Sequence, residues 1–127
     1  METSLNARLR PAELVQSLAL LANVVPNEMR MTVAHGLMGE SDWVKITLSQ
    51  SLYKYEALIA VGGSSGASVI SMVDKEWSKM LGQGATSFWE VSEGWPAFGG
   101  AGSLCHGWSA IPIYIYGAHP ELLRGDN

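Results

Sequence analysis

Proline and glycine cut the first 84 residues into four segments of helical period, which restricts the chain to a few helical architectures. The first segment begins at Pro11 and sets Leu14, Val15, Leu18, Leu21 and Ala22 on one face before stopping ahead of Pro26. Pro26 opens the second, with Glu28 in its first turn, a stripe of Met29, Val33 and Leu37, and Gly39 just past its end. Proline at the first helical position and glycine beyond the last is the expected asymmetry, because each sits where its backbone costs least. The third segment is expected to start near Ser41 or Asp42, to bury Val44, Leu48, Leu52, Tyr55 and Ile59, and to end at Gly62-Gly63. Ser64 or Ser65 can cap the fourth, whose Val69, Val73, Trp77, Met80 and Leu81 share a face before Gly82 and Gly84. Short connections imply consecutive helices packed antiparallel as hairpins, an all-α fold.

After Gly82 the pattern changes. Residues 84–102 are rich in glycine and aromatics, with Phe88, Trp89, Trp95 and Phe98 along a long irregular loop of a kind that is usually functional. Ser103 can cap a final helix running through Trp108. The alternation of Ile111, Ile113 and Ile115 with Tyr114 and Tyr116 favours a strand instead, so this segment stays open between the two.

Composition narrows the function classes. The 127 residues make one domain at most, 47% hydrophobic and only 16% charged, against about 25% charged in a typical globular chain. Either the helices pack tightly, or their apolar faces meet further helices or another chain, and self-association is then expected. A net charge of −4 offers no basic patch for phosphates, which argues against a nucleic-acid partner. The longest apolar runs, Leu18–Leu21 and Ala110–Ile115, fall far short of a membrane span, and the N-terminus lacks the features of a signal peptide. With one cysteine no internal disulfide forms, and a reducing, cytoplasmic setting is the default expectation.

Several letter patterns carry no chemistry. Gly62-Gly63-Ser64-Ser65-Gly66 matches G-x-S-x-G, but a nucleophile elbow needs a strand before it, and here the pattern joins two helices. The glycine-rich stretches hold no lysine for a phosphate loop. His35, His106 and His119 lack metal-ligand spacing, so neither metal nor cofactor is expected. Cys105, beside His106, reads as a buried structural thiol, since adjacent side chains rarely face one another.

Two stretches have the character of a sugar pocket: Gly84-Ala85-Thr86-Ser87-Phe88-Trp89-Glu90 and Ser103-Leu104-Cys105-His106-Gly107-Trp108-Ser109-Ala110. Aromatic faces suit the C–H faces of a pyranose, and a carboxylate can move the proton. Together with Thr47-Leu48-Ser49, Tyr53–Leu58 and Trp77–Leu81, these motifs resemble the closing part of the catalytic domain in six-hairpin glycosidases related to bacterial α-L-rhamnosidases. The resemblance spans roughly residues 11–118, leaving residues 1–10 as an N-terminal extension and 119–127 as a tail. It implies an arc of an (α/α)6 toroid and an inverting hydrolysis in which two carboxyl groups flank the glycosidic bond.

On that resemblance Glu90 matches the general base that activates water, and His106 matches a histidine that hydrogen-bonds substrate hydroxyls. Trp89 would support the pocket wall, Trp95 and Phe98 could reach the sugar from the loop, and Trp108 would pack on the last helix. The relatives carry an acidic residue in the loop where this chain has Phe98-Gly99-Gly100. Their general acid lies on an earlier helix that is not among these residues, and general acid catalysis is typically worth about 10²–10⁴-fold. The expected activity is therefore the base-side half of a glycosidase, inactive alone. The alternative is a non-catalytic helical module that binds carbohydrate or protein through the aromatic loop.

Overall fold

A computed structural model describes residues 10–39 and 41–124, so most of the proposed N-terminal extension and the last three residues lie outside the described residues. The described residues are all-α: they contain no strand and a single isolated parallel bridge, between Ala12 and Val44. Five elements come first: α1 (Glu13–Leu21), α2 (Asn27–Leu37), α3 (Ser51–Val61), α4 (Gly63–Ala67) and α5 (Val69–Gly82). A long irregular stretch, interrupted by the single turn α6 (Ala97–Gly100), leads to α7 (Ile111–Ala118) and α8 (Pro120–Arg124).

Helix α3 is the hub. It packs against α1, α2, α4 and α5, and its Tyr55, Ala57 and Leu58 are buried in the single core with Leu20, Leu37, Val69, Val73 and Trp77. On α5 the buried positions Val69, Val73, Trp77 and Met80 follow the predicted stripe, because spacings of four and three return to one face. Leu81, predicted to share that face, is exposed. Trp77 also donates its indole N–H to the Ser109 carbonyl at 3.0 Å, fixing α5 to the segment before α7.

Helix α1 departs further from its sequence pattern. It buries Glu13, Ser17 and Leu20, while Val15, Leu18 and Leu21 of the predicted apolar face point outward. The cause lies at Glu13, whose side chain is only 1% exposed. Oε1 accepts from Lys45 Nζ and Lys54 Nζ, both at 3.1 Å, and Oε2 accepts from the Ile46 amide at 3.1 Å. A buried carboxylate without partners is costly, so the face that carries it turns to where three donors converge. Ser17 satisfies its own hydroxyl by donating to the Glu13 carbonyl at 2.7 Å. Small buried side chains, Ser17 on α1 and Ala57 on α3, suit the extensive contact between these helices.

The third helix starts nine or ten residues later than predicted, at Ser51 after a 3₁₀ turn, Leu48–Gln50. Val44 is half-exposed and extended: its amide donates to the Pro11 carbonyl and its carbonyl accepts from the Glu13 amide, each at 2.9 Å. The spacing of Val44, Leu48 and Leu52 fits a helix, but β-branched Val44, Ile46 and Thr47 favour extended backbone, and pairing with residues 11–13 decides it.

The fourth helix is not capped by Ser64 or Ser65. Gly62 and Gly63, both at positive φ, turn the chain into α4, and α5 begins after Ser68, which makes no side-chain cap. No helix opens at Ser103 either. Helix α7 begins at Ile111 with Pro112 in its first turn, where a missing N–H costs nothing. Ile111 and Ile115 are buried while Ile113 is exposed, which is helical rather than strand spacing. Residues 119–124, set apart as a tail in the sequence, carry α8; Leu122 packs against the core and His119 Nε2 meets Glu56 at 2.8 Å.

Replacing Glu13 by Gln should lower the unfolding free energy by about 3 kcal/mol, because it leaves the Lys54 ammonium buried without a counter-charge. Lys45→Gln, at a half-exposed cation, should cost less than about 1 kcal/mol. Urea denaturation followed by tryptophan fluorescence measures both, and equal effects of the two changes would contradict the assignment.

Candidate functional site

The two motifs singled out in the sequence lie side by side. The His106 amide donates to the Phe88 carbonyl at 2.6 Å, and the Glu90 amide donates to the Ser103 carbonyl at 2.9 Å. Ser87 Oγ donates to the Leu104 carbonyl and the Ser103 amide to Glu90 Oε2, so four hydrogen bonds join residues 87–90 to 103–106. The segments run in opposite directions without regular strand geometry. The Glu90 carbonyl accepts from the Leu48 amide at 3.1 Å, which ties the pair to the 3₁₀ turn before α3.

Within this arrangement Glu90 is half-buried, and its Oε2 lies 3.5 Å from the Ser103 amide. His106 is also half-buried, and the backbone hydrogen bonds hold it on the segment next to that of Glu90. Trp89 belongs to the core: it is buried, and its six-membered ring covers Gly94. A Cβ at Gly94 would lie 2.8 Å from Trp89 Cε3 and Cζ3, and the residue has φ +65°, so only glycine fits. Trp95 and Phe98 are 63% and 62% exposed, standing out from the loop as unburied aromatic faces. Phe98 holds a left-handed φ of 53°, a conformation that costs a non-glycine residue roughly 1 kcal/mol or more. Trp108 does not pack on the last helix: it is exposed on the 3₁₀ turn Gly107–Ser109. Cys105 is likewise exposed rather than buried, in a segment whose backbone is hydrogen-bonded to residues 87–90.

Two cavities flank these segments. One, about 410 Å³, is a mainly apolar cleft between α5 and α7, with Trp77, Met80, Pro112 and Tyr116 facing Thr86, Ser87 and Phe88. Tyr116 donates its hydroxyl to Asp74 Oδ1 at 2.6 Å at the edge of this cleft. The other, about 770 Å³, lies between the Glu13 cluster, α3 and α5, and is closed on one side by Val91, Ser92, Glu93 and Phe98. Of the sequence-predicted site residues only Phe98 lines a cavity; Glu90, His106, Trp89 and Trp95 line neither.

The larger cavity was missed in the sequence, although it gathers all four lysines of the chain, Lys45, Lys54, Lys75 and Lys79. The available signal was Glu13 among apolar neighbours, with Lys54 placed next to the core residue Tyr55. Burial pushes the Lys54 ammonium below its ordinary value, and Glu13 only partly restores it. Burial, with Glu76 nearby, raises the Tyr55 phenol far above its ordinary value of 10.0. Burial and donation to Asp74 push Tyr116 up to about 12.

Among the described residues no group of acidic, histidine or cysteine side chains is placed to hold a metal ion. None of the described helices is long and apolar enough to cross a membrane. No protein-family model, curated protein or solved structure matches the chain.

Gly94→Ala should destabilise the fold by about 2 kcal/mol, through positive-φ strain and overlap with Trp89, measurable as a lower urea midpoint. Alkaline pH gives a second test. The unfolded phenols ionise near 10.0 while folded Tyr55 and Tyr116 keep their protons, so the folded state binds more protons and stability falls as pH rises above 10. Lys54 acts oppositely: with its folded value below 10.5, its contribution to stability rises with pH up to that point. Tyr55→Phe and Tyr116→Phe should each flatten the decline above pH 10.5; an unchanged slope would contradict the environments described.

Proposed function

We propose that this chain is the base-side half of a glycoside hydrolase site of the six-hairpin, α-L-rhamnosidase-like kind, and that the other half of the site lies on helices outside it. The observation that carries this reading is the hydrogen-bonded pairing of residues 87–90 with 103–106, which sets the Glu90 and His106 segments next to each other. In this reading the Glu90 carboxylate takes a proton from water as that water attacks the anomeric carbon, and His106 hydrogen-bonds the sugar hydroxyls. The leaving oxygen receives its proton from a general acid on a preceding hairpin. Without that acid the chain binds sugar and does not hydrolyse it.

The exposed apolar side chains Val15, Leu18, Leu21 and Val24 on and after α1, with Met29 and Met31 on α2, support this reading. They form a surface of the sort that adjoining hairpins of an α/α toroid would cover. A second reading, a non-catalytic binding module, is favoured by the exposed rings of Trp95, Phe98 and Trp108, which are free to stack on a carbohydrate.

Titration with L-rhamnose and other pyranoses, read by tryptophan fluorescence, tests the proposal. A saturable change is expected, and His106→Ala should weaken it about tenfold, the cost of losing one or two hydrogen bonds. When the chain is joined to the missing hairpins of a six-hairpin glycosidase, Glu90→Gln should abolish hydrolysis but leave affinity nearly intact. Sugar binding indifferent to His106, or hydrolysis indifferent to Glu90, would reject the hydrolase reading in favour of the binding module.

A further inference from the structure

We propose that the larger cavity is a binding site for a small molecule carrying an oxyanion, a phosphate or carboxylate group. The proposal does not rest on the glycosidase reading, because neither Glu90 nor His106 lines this cavity. Its first support is charge placement. In a chain of net charge −4, every lysine converges on one concavity, Lys45 and Lys54 from the α1–α3 side and Lys75 and Lys79 from α5; against the carboxylates of Glu13, Glu76 and Glu93 on the same lining they leave one positive charge in excess.

Its second support is incomplete pairing. Lys45 and Lys54 share the single oxygen Glu13 Oε1, and Lys79 is bound to Glu76 at 2.6 Å. Lys75 makes no ion pair among the described residues. Lys54 is the most enclosed of these cations, 11% exposed, and burial lowers its affinity for a proton in spite of Glu13. An ammonium whose charge is under-compensated in a partly desolvated cavity gains from an added anion more than a surface lysine would. The volume, about 770 Å³, falls within the usual range for small-molecule sites.

The direct test is thermal unfolding of the full chain with inorganic phosphate, acetate and chloride at matched ionic strength. A ligand that binds only the folded state raises the midpoint in a saturable way. Phosphate or acetate should do so and chloride should not; whichever of the two acts more strongly identifies the anionic group. Lys75→Gln and Lys45→Gln, both at exposed side chains and therefore tolerated by the fold, should each raise the half-saturating concentration about tenfold. Arg124→Gln, a cation away from the cavity, should leave it unchanged. Equal stabilisation by chloride, no stabilisation by either oxyanion, or the same response in the Lys45 and Lys75 variants as in the parent would overturn the proposal.

Discussion

A carboxylate taken out of water must be met by donors, and the Glu13 side chain meets three from two other parts of the chain. That requirement organises the N-terminal half. It rotates α1 so that Glu13, Ser17 and Leu20 face inward, and it holds residues 44–46 extended against residues 11–13. It also draws Lys54 on α3 down to the same oxygen atom as Lys45. The large apolar side chains of α1 are left facing outward as a consequence. A polar contact thus overrides the hydrophobic pattern, because an unpaired buried charge costs more than a few partly exposed leucines and valines gain.

The second half depends on backbone hydrogen bonds rather than on regular secondary structure. Residues 83–110 contain only isolated turns, yet Trp89 is buried over Gly94 and the two motif segments are cross-linked at Phe88, Glu90, Ser103 and His106. Leu48 and Trp77 then fasten this layer to the helices, one through its amide and the other through its indole. The loop is hydrogen-bonded to its neighbours at its two ends and carries Trp95 and Phe98 exposed between them.

The molecule therefore presents three distinct surfaces: the paired motif segments, the lysine-lined cavity behind them, and the apolar outer face of α1 and α2. Val91 to Glu93, which follow directly on Glu90, border the cavity.

Helix content, the α5 stripe from Val69 to Met80, the break at Gly62-Gly63 and the irregular character of residues 84–102 all follow from local rules. Periodicity, glycine freedom and proline geometry act within a few residues and need no knowledge of neighbours. Other features depended on contacts from 13 to 41 positions apart in the chain. The inward face of α1 was set by Lys45 and Lys54, the extended backbone at Val44 by Pro11 and Glu13, and the pairing of Glu90 by Ser103. Composition and period could rank the residues that bear chemistry, but bringing four scattered lysines around one cavity required the packed chain. Electrostatic and hydrogen-bond partners are chosen by distance in space, which the order of residues along a chain does not record.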